Sequence, residues 1–446
     1  MFLKGGYLQK SIPNIAVLGI LLLLCGCASY SQSFNSIEQS LLRNDPANAL
    51  KQLEKQSHSD SDLFLYYSDR AILLRMLGKF RESNKNIEQA KAIIEKYSAI
   101  SISEQTSSFI INDSTQTYIG TPVEQIMLNI YAALNYLEMS ERDSARVEVL
   151  QADIRLRTLM QDDPDSPLSV DPFARYLAGV IYEDLGEWSD AMIAYRKAYE
   201  AYQRHSTLYE INIPQQLKRS LIKMADKVGL DNERQKYESE FNLQLSQFQQ
   251  QNQNNAELIF TFQNGLAPIK RESSVTVMEP STGQLIRVSL PRYEKRDPTV
   301  NKVRLIIKNK NEFVTLTEKV EDISSLEIAS LDAQMGAITA RALARAVAKH
   351  EISKQAGRRN DLAGLITNIA GLVTERADTR SWLTLPTEIQ TARLRAPADT
   401  YSVNIELLDK NGNIIYLRTL GKIKLSNEHK YYLSFHWAAA TRTTRH

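Results

Sequence analysis

The sequence predicts an α+β multidomain protein: an N-terminal all-α array of paired helices, then a C-terminal antiparallel β-rich domain with inserted helices. Three observations predict it. Apolar residues recur at helical spacing from about residue 34 to 241. A stretch dominated by Gln and Asn, residues 244–255, then breaks the pattern. Beyond it, apolar and polar residues alternate in short runs separated by turn signals. The 446 residues suit two or three domains. A formal net charge of +2 gives no general drive toward nucleic acid or anionic lipid.

The N-terminus reads as a processing signal. Lys4 and Lys10 supply positive charge, and residues 15–24 read IAVLGILLLL. A membrane-spanning helix needs about 20 apolar residues, and this run has roughly half of that. It has the length of a signal-peptide core. Leu24-Cys25-Gly26-Cys27 follows, an aliphatic residue and two small ones before a cysteine. The segment resembles the lipobox of bacterial lipoproteins. Small residues let an extended chain enter the signal peptidase, and the Cys27 thiol is the acceptor for the lipid. A cleaved signal peptide over residues 1–26 and lipidation of Cys27 are expected. Of two cysteines, cleavage removes Cys25 and acylation blocks Cys27, so the mature chain has no free thiol and no disulfide. Three acyl chains exceed the two hydrophobic signals that stable anchoring requires. Ala28 and Ser29 stand where an Asp keeps many lipoproteins in the inner membrane. The expected location is therefore the periplasmic face of the outer membrane.

Residues 27–243 are expected to form the helical array. Its clearest unit spans 171–204, where Gly179, Tyr182, Leu185, Gly186, Trp188, Ala191, Tyr195 and Ala198 fall at the spacing of a tetratricopeptide repeat. That motif is two antiparallel helices with a period of about 34 residues. Gly179, Ala191 and Ala198 allow close approach, and Tyr182, Trp188 and Tyr195 fill the gaps. Gly186 ends the first helix. Ala71, Leu74, Leu77, Gly78, Phe80, Ser83, Ile87 and Ala90 match a second unit. Ala133, Tyr136, Met139, Ala145, Val149 and Ala152 match a third more loosely. Asn44-Asp45-Pro46 caps a helix through Leu50 and Leu53. Residues 214–228 and 232–241 read as a final pair, and 98–121 is the longest inserted loop. Such arrays present an extended concave surface that takes peptides or partner proteins. The plainer alternative is a spacer between lipid and C-terminal domain.

Residues 244–256 read as a Gln/Asn-rich linker, and 257–446 as the second domain. Leu258, Phe260 and Phe262 share a strand face. Val275 and Val277, then Ile286 and Val288, flank the turn Ser281-Thr282-Gly283. Val303, Leu305 and Ile307 form another strand, as do Tyr401, Val403, Ile405 and Leu407. Asn411-Gly412 signals a hairpin turn, and Tyr431, Leu433, Phe435 and Trp437 form the last strand face. An antiparallel sheet with one buried side is expected. A helical insertion occupies about 324–375. Arg341, Arg345 and Lys349, spaced by four, share one of its faces, either as a docking stripe for an anionic partner or as a solvated face. Leu362, Leu365, Ile366, Ile369, Leu372 and Val373 form an apolar stripe of the core kind.

Catalytic patterns are scarce. Ser220-Leu221-Ile222-Lys223 matches S-x-x-K but lacks the companion S-D-N and K-T-G motifs, and it reads as a chance match within a helix. There is no G-x-S-x-G, H-E-x-x-H or phosphate-binding glycine loop. His429 and His436 are seven apart in strand-like sequence and so face opposite sides. No catalytic, metal-ligating or cofactor-binding residue is assigned, and no nucleic-acid partner. Asp378, Arg380 and Trp382 would share one face of a strand that Pro386 ends or places at an edge. Either Asp378 and Arg380 pair while Trp382 fills the core, or the three anchor a partner.

Five segments carry a family resemblance. They are Tyr118-x-Gly120-x-Pro122-x-Glu124, Ala132-Ala133-Leu134-Asn135-Tyr136-Leu137, Ala145-Arg146-Val147-Glu148, Asn264-Gly265-Leu266-Ala267-Pro268, and residues 377–386, ADTRSWLTLP. Together they resemble an uncharacterised group of proteobacterial lipoproteins with tetratricopeptide-like repeats. The resemblance covers nearly all of the mature chain. The group has no established activity. Its association with loci that encode a lipoprotein activator of penicillin-binding proteins implies envelope or peptidoglycan work. The leading expectation is a non-enzymatic, outer-membrane-anchored periplasmic scaffold whose repeat groove binds an envelope protein or peptide. The alternative is a regulator of peptidoglycan synthesis contacting a penicillin-binding protein or the wall. A third class is an enzyme acting on wall material.

Overall fold

A computed structural model describes residues 30–101, 116–162, 171–209, 211–249, 255–278, 285–357 and 376–439. Cys27, the turn 281–283 and the apolar stripe 362–373 lie outside these residues. No helix among the described residues is long and apolar enough to cross a membrane.

Five helix pairs make the N-terminal half: α1 (Asn35–Leu42) with α2 (Pro46–Lys55), α3 (Leu63–Met76) with α4 (Phe80–Ser101), α5 (Pro122–Glu138) with α6 (Arg142–Asp162), α7 (Pro172–Leu185) with α8 (Trp188–Tyr209), and α9 (Gln215–Lys227) with α10 (Asp231–Phe241). Local chemistry sets their ends. The Asp45 carboxylate accepts from the Asn48 amide ahead of α2. Thr121 and Glu124 form a reciprocal capping box at α5, with Pro122 in the first turn. Asp171 caps α7, and Gly186 ends it in the left-handed region at φ 76°. Within that unit a Cβ on Gly179 would sit 2.4 Å from ring carbons of Tyr195, so α7 and α8 touch through glycine against tyrosine. Trp188 departs from the expectation: it is 38% exposed and lies beneath the Lys227 ammonium at 5.6 Å. At the start of α8 it sits beyond the inter-helix seam rather than in it.

Among the described residues ten strands follow: β1 (Asn255–Asn264), β2 (Ile269–Met278), β3 (Leu285–Glu294), β4 (Lys302–Lys308), β5 (Glu312–Leu316), β6 (Glu318–Glu321), β7 (Glu388–Pro397), β8 (Thr400–Leu408), β9 (Ile414–Lys424) and β10 (Tyr431–Trp437). Among the described residues between β6 and β7 runs a long helix, α11 (Ile323–Gly357). One sheet has the order β10-β1-β7-β6, a second β5-β4-β8-β9, and β2 with β3 forms a separate ribbon. The Gln/Asn-rich segment contributes a one-turn helix, Ser246–Gln249, and the opening residue of β1.

The expected one-sided antiparallel sheet is corrected at β1. This strand pairs antiparallel with β7 but parallel with β10, in the register Leu258↔Tyr431. It is also buried on both faces from Ala256 onward. Both faces meet apolar layers. Leu258, Phe260 and Phe262 pack with Val303, Leu305, Ile405 and Phe435 between the two sheets. Ile259 and Ile389 join Phe64, Tyr131, Tyr195 and Trp382 in the core under the helices. The order of layers is helices, sheet, sheet, and the helical half and the first sheet share one continuous core.

Candidate ligand cleft and partner face

The central first helices, α5 and α7, are not free to form an open groove. In α7 every residue from Pro172 to Ile181 is buried, and in α5 every residue from Ile126 to Asn135. A helix buried all round has partners on all sides. One side meets the second helices of the pairs, and the other meets the β10-β1-β7-β6 sheet.

An ion network fastens this contact. Arg393 of β7, 3% exposed along its side chain, donates twice to Glu257 of β1 at 2.8 Å. It also donates to Glu183 of α7 at 3.0 Å and to the Ser220 hydroxyl of α9 at 2.9 Å. Tyr195 and Lys223 donate to Glu183 at 2.6 and 2.7 Å. Lys430 lies 3.6 Å from both carboxylates. Burial penalises charge on Glu183 and Glu257, but Arg393 and the neighbouring cations outweigh it and hold both carboxyls below their usual range. Ser220 and Lys223 of the S-x-x-K match are thus engaged separately, one by Arg393 and the other by Glu183.

Residues 378–386 form no strand; β7 begins only at Glu388. Instead they turn across α3 and α5. The Arg380 guanidinium grips Asp378 through two bonds, at 2.9 and 2.8 Å, and donates to Asp62 at 3.1 Å and to the Gln116 carbonyl at 2.9 Å. Trp382 is 1% exposed. Its backbone amide donates to Glu124 at 2.6 Å, and its indole to Thr384 at 3.0 Å. The Thr384 amide and hydroxyl both go to Asp69, at 3.0 and 2.8 Å, and the Tyr30 hydroxyl completes that carboxylate's shell at 2.5 Å. These side-chain acceptors replace a strand ladder. The paired, core-filling arrangement of Asp378, Arg380 and Trp382 is the one observed.

Beside this segment lies a cleft of about 670 Å³. Residues 116–120, the β2–β3 ribbon, α11 and residues 377–380 form its walls. Four residues singled out from the sequence converge there: Asp378, Arg380, Arg341 and Arg345. Trp382 is packed in the core, and Lys349 follows one helical turn beyond Arg345 on α11. The basic stripe is not uniformly solvated, since Arg341 is exposed while Arg345 is buried.

Sequence reasoning missed the lysine in this cleft. Lys270 of β2 is only 8% exposed. Its ammonium sits 5.8 Å from the Tyr118 ring centre and 5.3 Å from that of Tyr293. Behind it, Tyr118 donates to Glu124 at 2.8 Å, and Tyr293 and Thr121 donate to Glu327 at 2.7 and 2.9 Å. Burial, with repulsion from Glu124, pushes the Glu327 carboxyl up to about 7. Burial also raises Glu124, and both tyrosines lie well above their usual value for the same reason. Tyr118 and Glu124 belong to a segment noted for its resemblance; Lys270 carried no signal, being one charge among several in β2.

A second surface lies on the outside of the array. Val147, Leu150 and Ile154 of α6 and Ile193 of α8 are exposed, Ile154 to 54%. A shallow groove of about 160 Å³ joins Leu150 to Ile193 past Asp153, Tyr182 and Lys197. The two histidines do not meet at a site. His436 is buried in β10 and pushed down to about 4 by desolvation, while His429 lies outside the strand, 3.9 Å from Asp184. Among the described residues no group of three or more His, Cys, Asp or Glu is placed to hold a metal.

Fold and sites together define a mixed helix-and-sheet protein, with a helical N-terminal array whose inner helices are covered by the chain's own sheet. No family model and no curated protein sequence matches it. Part of the chain is similar to solved structures. MamA from residue 41 to its end, from Desulfovibrio magneticus RS-1, is 14% identical, with 49% of this chain and 94% of that chain covered and a TM-score of 0.29. BtubC from P. vanneervenii is 16% identical over 50% of this chain and 79% of that one, with a TM-score of 0.29. The Rap conjugation gene regulator of plasmid pLS20, in complex with a Phr peptide, is 13% identical over 55% and 60%, with a TM-score of 0.30. At these scores the likenesses assign neither a family nor an activity.

Proposed function

We propose that the chain is a non-enzymatic scaffold, anchored through a lipid on Cys27 at the periplasmic face of the outer membrane, which captures an envelope protein on the outer face of its helical array. The observation that carries this reading is the apolar stripe of Val147, Leu150 and Ile154 on α6, beside Ile193 on α8. Soluble proteins rarely leave large apolar side chains grouped on a surface without a partner for them. The stripe follows i, i+3, i+7 spacing and is about 10 Å long, which fits two turns of an amphipathic helix laid along the groove. The inner helices are covered by the sheet, so the partner site moves from the expected repeat groove to the outside.

The test is crosslinking and capture from intact envelopes with the native chain and with Ile154→Lys and Ile193→Glu. Both side chains are exposed, so melting should barely change while recovery of one dominant protein falls. Undiminished recovery would remove the outer face from the reading. A peptidoglycan synthase as the dominant capture would assign the regulator role, and glycan turnover by the purified chain would overturn the non-enzymatic one. Cys27→Ser should abolish incorporation of a fatty-acid probe; persistent labelling would refute the anchor.

A further inference from the structure

We propose that the cleft between α11, the β2–β3 ribbon and residues 116–120 and 377–380 binds a small organic oxyanion, a carboxylate or phosphate monoester on an apolar body, with the charged group against Lys270. This inference stands independently of the outer-face partner. The cavity, about 670 Å³, lies within the range of roughly 300–1,000 Å³ that small-molecule sites occupy. Its lining suits an amphipathic molecule, with Ile119, Pro291, Leu331 and Ile338 supplying apolar walls.

Lys270 gives the chemistry. The residue is more than nine-tenths buried and lines the cleft, and its ammonium is attracted by Glu124 and Glu327 behind it but has no direct hydrogen bond or ion pair to either among the described residues. A buried charge without a hydrogen-bonded counter-charge is costly. The faces of Tyr118 and Tyr293 offset only part of that cost. The two carboxylates behind it are already occupied. Glu124 accepts from Tyr118, from the Thr121 amide and from the Trp382 amide. Glu327 accepts from Thr121 and Tyr293. On the cleft side the charges are Arg341 at the exposed face, Arg345 in the wall, and Arg380, which is held by Asp378 and Asp62. Among the described residues the lining therefore carries Lys270 and three arginines against the carboxylate of Asp378. An oxyanion entering the cleft meets a desolvated ammonium that lacks a direct bond to a counter-charge, and a charge-assisted bond in such surroundings is strong.

Hexanoate, hexyl phosphate and the uncharged hexanamide are suitable probes for titration calorimetry on the mature chain. Either or both anions should bind, and hexanamide at least about tenfold more weakly, the factor that a hydrogen bond to a charged group supplies. Which anion binds assigns the class, carboxylate or phosphate. Lys270→Met should lower affinity by a similar factor, Lys270→Arg should restore most of it, and Arg341→Ala, at an exposed position, should weaken it several-fold without altering the melt. Ile154→Lys should leave anion binding intact, which keeps this test separate from that of the outer face. If neither anion binds at millimolar concentration, or if hexanamide or a folded Lys270→Met chain binds equally well, the proposal is overturned.

Discussion

Arg393→Met tests the fastening of the sheet to the helices. The substitution keeps most of the side chain's length and removes a guanidinium that makes four short bonds, two to Glu257 and one each to Glu183 and Ser220. Removing one partner of a buried ion pair costs about 3–5 kcal/mol, because the remaining charge stays in a poor solvent. Here each carboxylate keeps other cations. Glu183 retains Lys223 at 2.7 Å, and Glu257 retains Arg395 at 3.1 Å. The cost should therefore fall near the lower end, about 3 kcal/mol. The pH dependence has a definite sign. Glu183 and Glu257 titrate below their usual range in the folded state. They therefore stabilise the fold above the unfolded carboxyl value, and that contribution is lost as pH falls through the folded one. The penalty of Arg393→Met should be fully present at pH 7 and should shrink in acid. Urea unfolding of the chain, followed by circular dichroism at pH 7 and pH 4, reads both quantities. A midpoint at pH 7 unchanged within error, or a penalty that grows in acid, would refute the reasoning.

Three further outcomes are expected. Trp382→Ala should cost about 3–5 kcal/mol, since the ring is fully buried beside Tyr131; a cost below about 1 kcal/mol in urea unfolding would show that the ring is not core. Gly179→Ala should destabilise by roughly 1–2 kcal/mol, because the added methyl meets the buried Tyr195 ring at 2.4 Å and overpacking outweighs the gain in helix propensity; a raised melting temperature would contradict that contact. Glu327, raised to about 7 in the fold, contributes stability that is fully present below its unfolded value and lost as pH rises through 7. Stability should therefore fall between pH 5 and pH 8, and Glu327→Gln should flatten the slope; an identical slope in this variant would remove Glu327 as its source.

The local parts of the architecture were legible in the sequence. Gly186 and the Asp45-Pro46 cap act within a turn or two of their own positions, and Gly179 meets Tyr195 on the next helix of the same pair, so their spacing reports helix pairs directly. Alternation at Leu258, Phe260 and Phe262 reports a strand for the same reason. The missing parts depend on contacts between distant segments. Parallel pairing of β10 with β1 leaves no mark near either strand. That the inner helices are covered was readable in principle from α5 and α7, whose apolar residues leave no polar face. Helical periodicity alone does not distinguish a face open to a partner from one filled by the same chain. Residues 378–386 imitate a strand by alternation, yet their amides and hydroxyls find Glu124 and Asp69, acceptors more than 250 residues earlier in the chain. Lys270 became visible only once Tyr118, Tyr293, Glu124 and Glu327 were assembled around it.

If Cys27 carries the proposed lipid, the burial of Tyr30 would fix where the body can stand. Its hydroxyl is bonded to Asp69 beneath the array, and Ser31 donates to the Thr379 carbonyl at 2.9 Å. With the lipid on Cys27, as proposed, only Ala28 and Ser29 separate the acylated position from the buried Tyr30. Fully extended, the three steps from position 27 to position 30 span about 10 Å. Such a leash is too short for a molecule of this size to roam: the protein would ride on the bilayer as a fitting on its surface, and anything it recruits from across the periplasm would have to come to the membrane to be met.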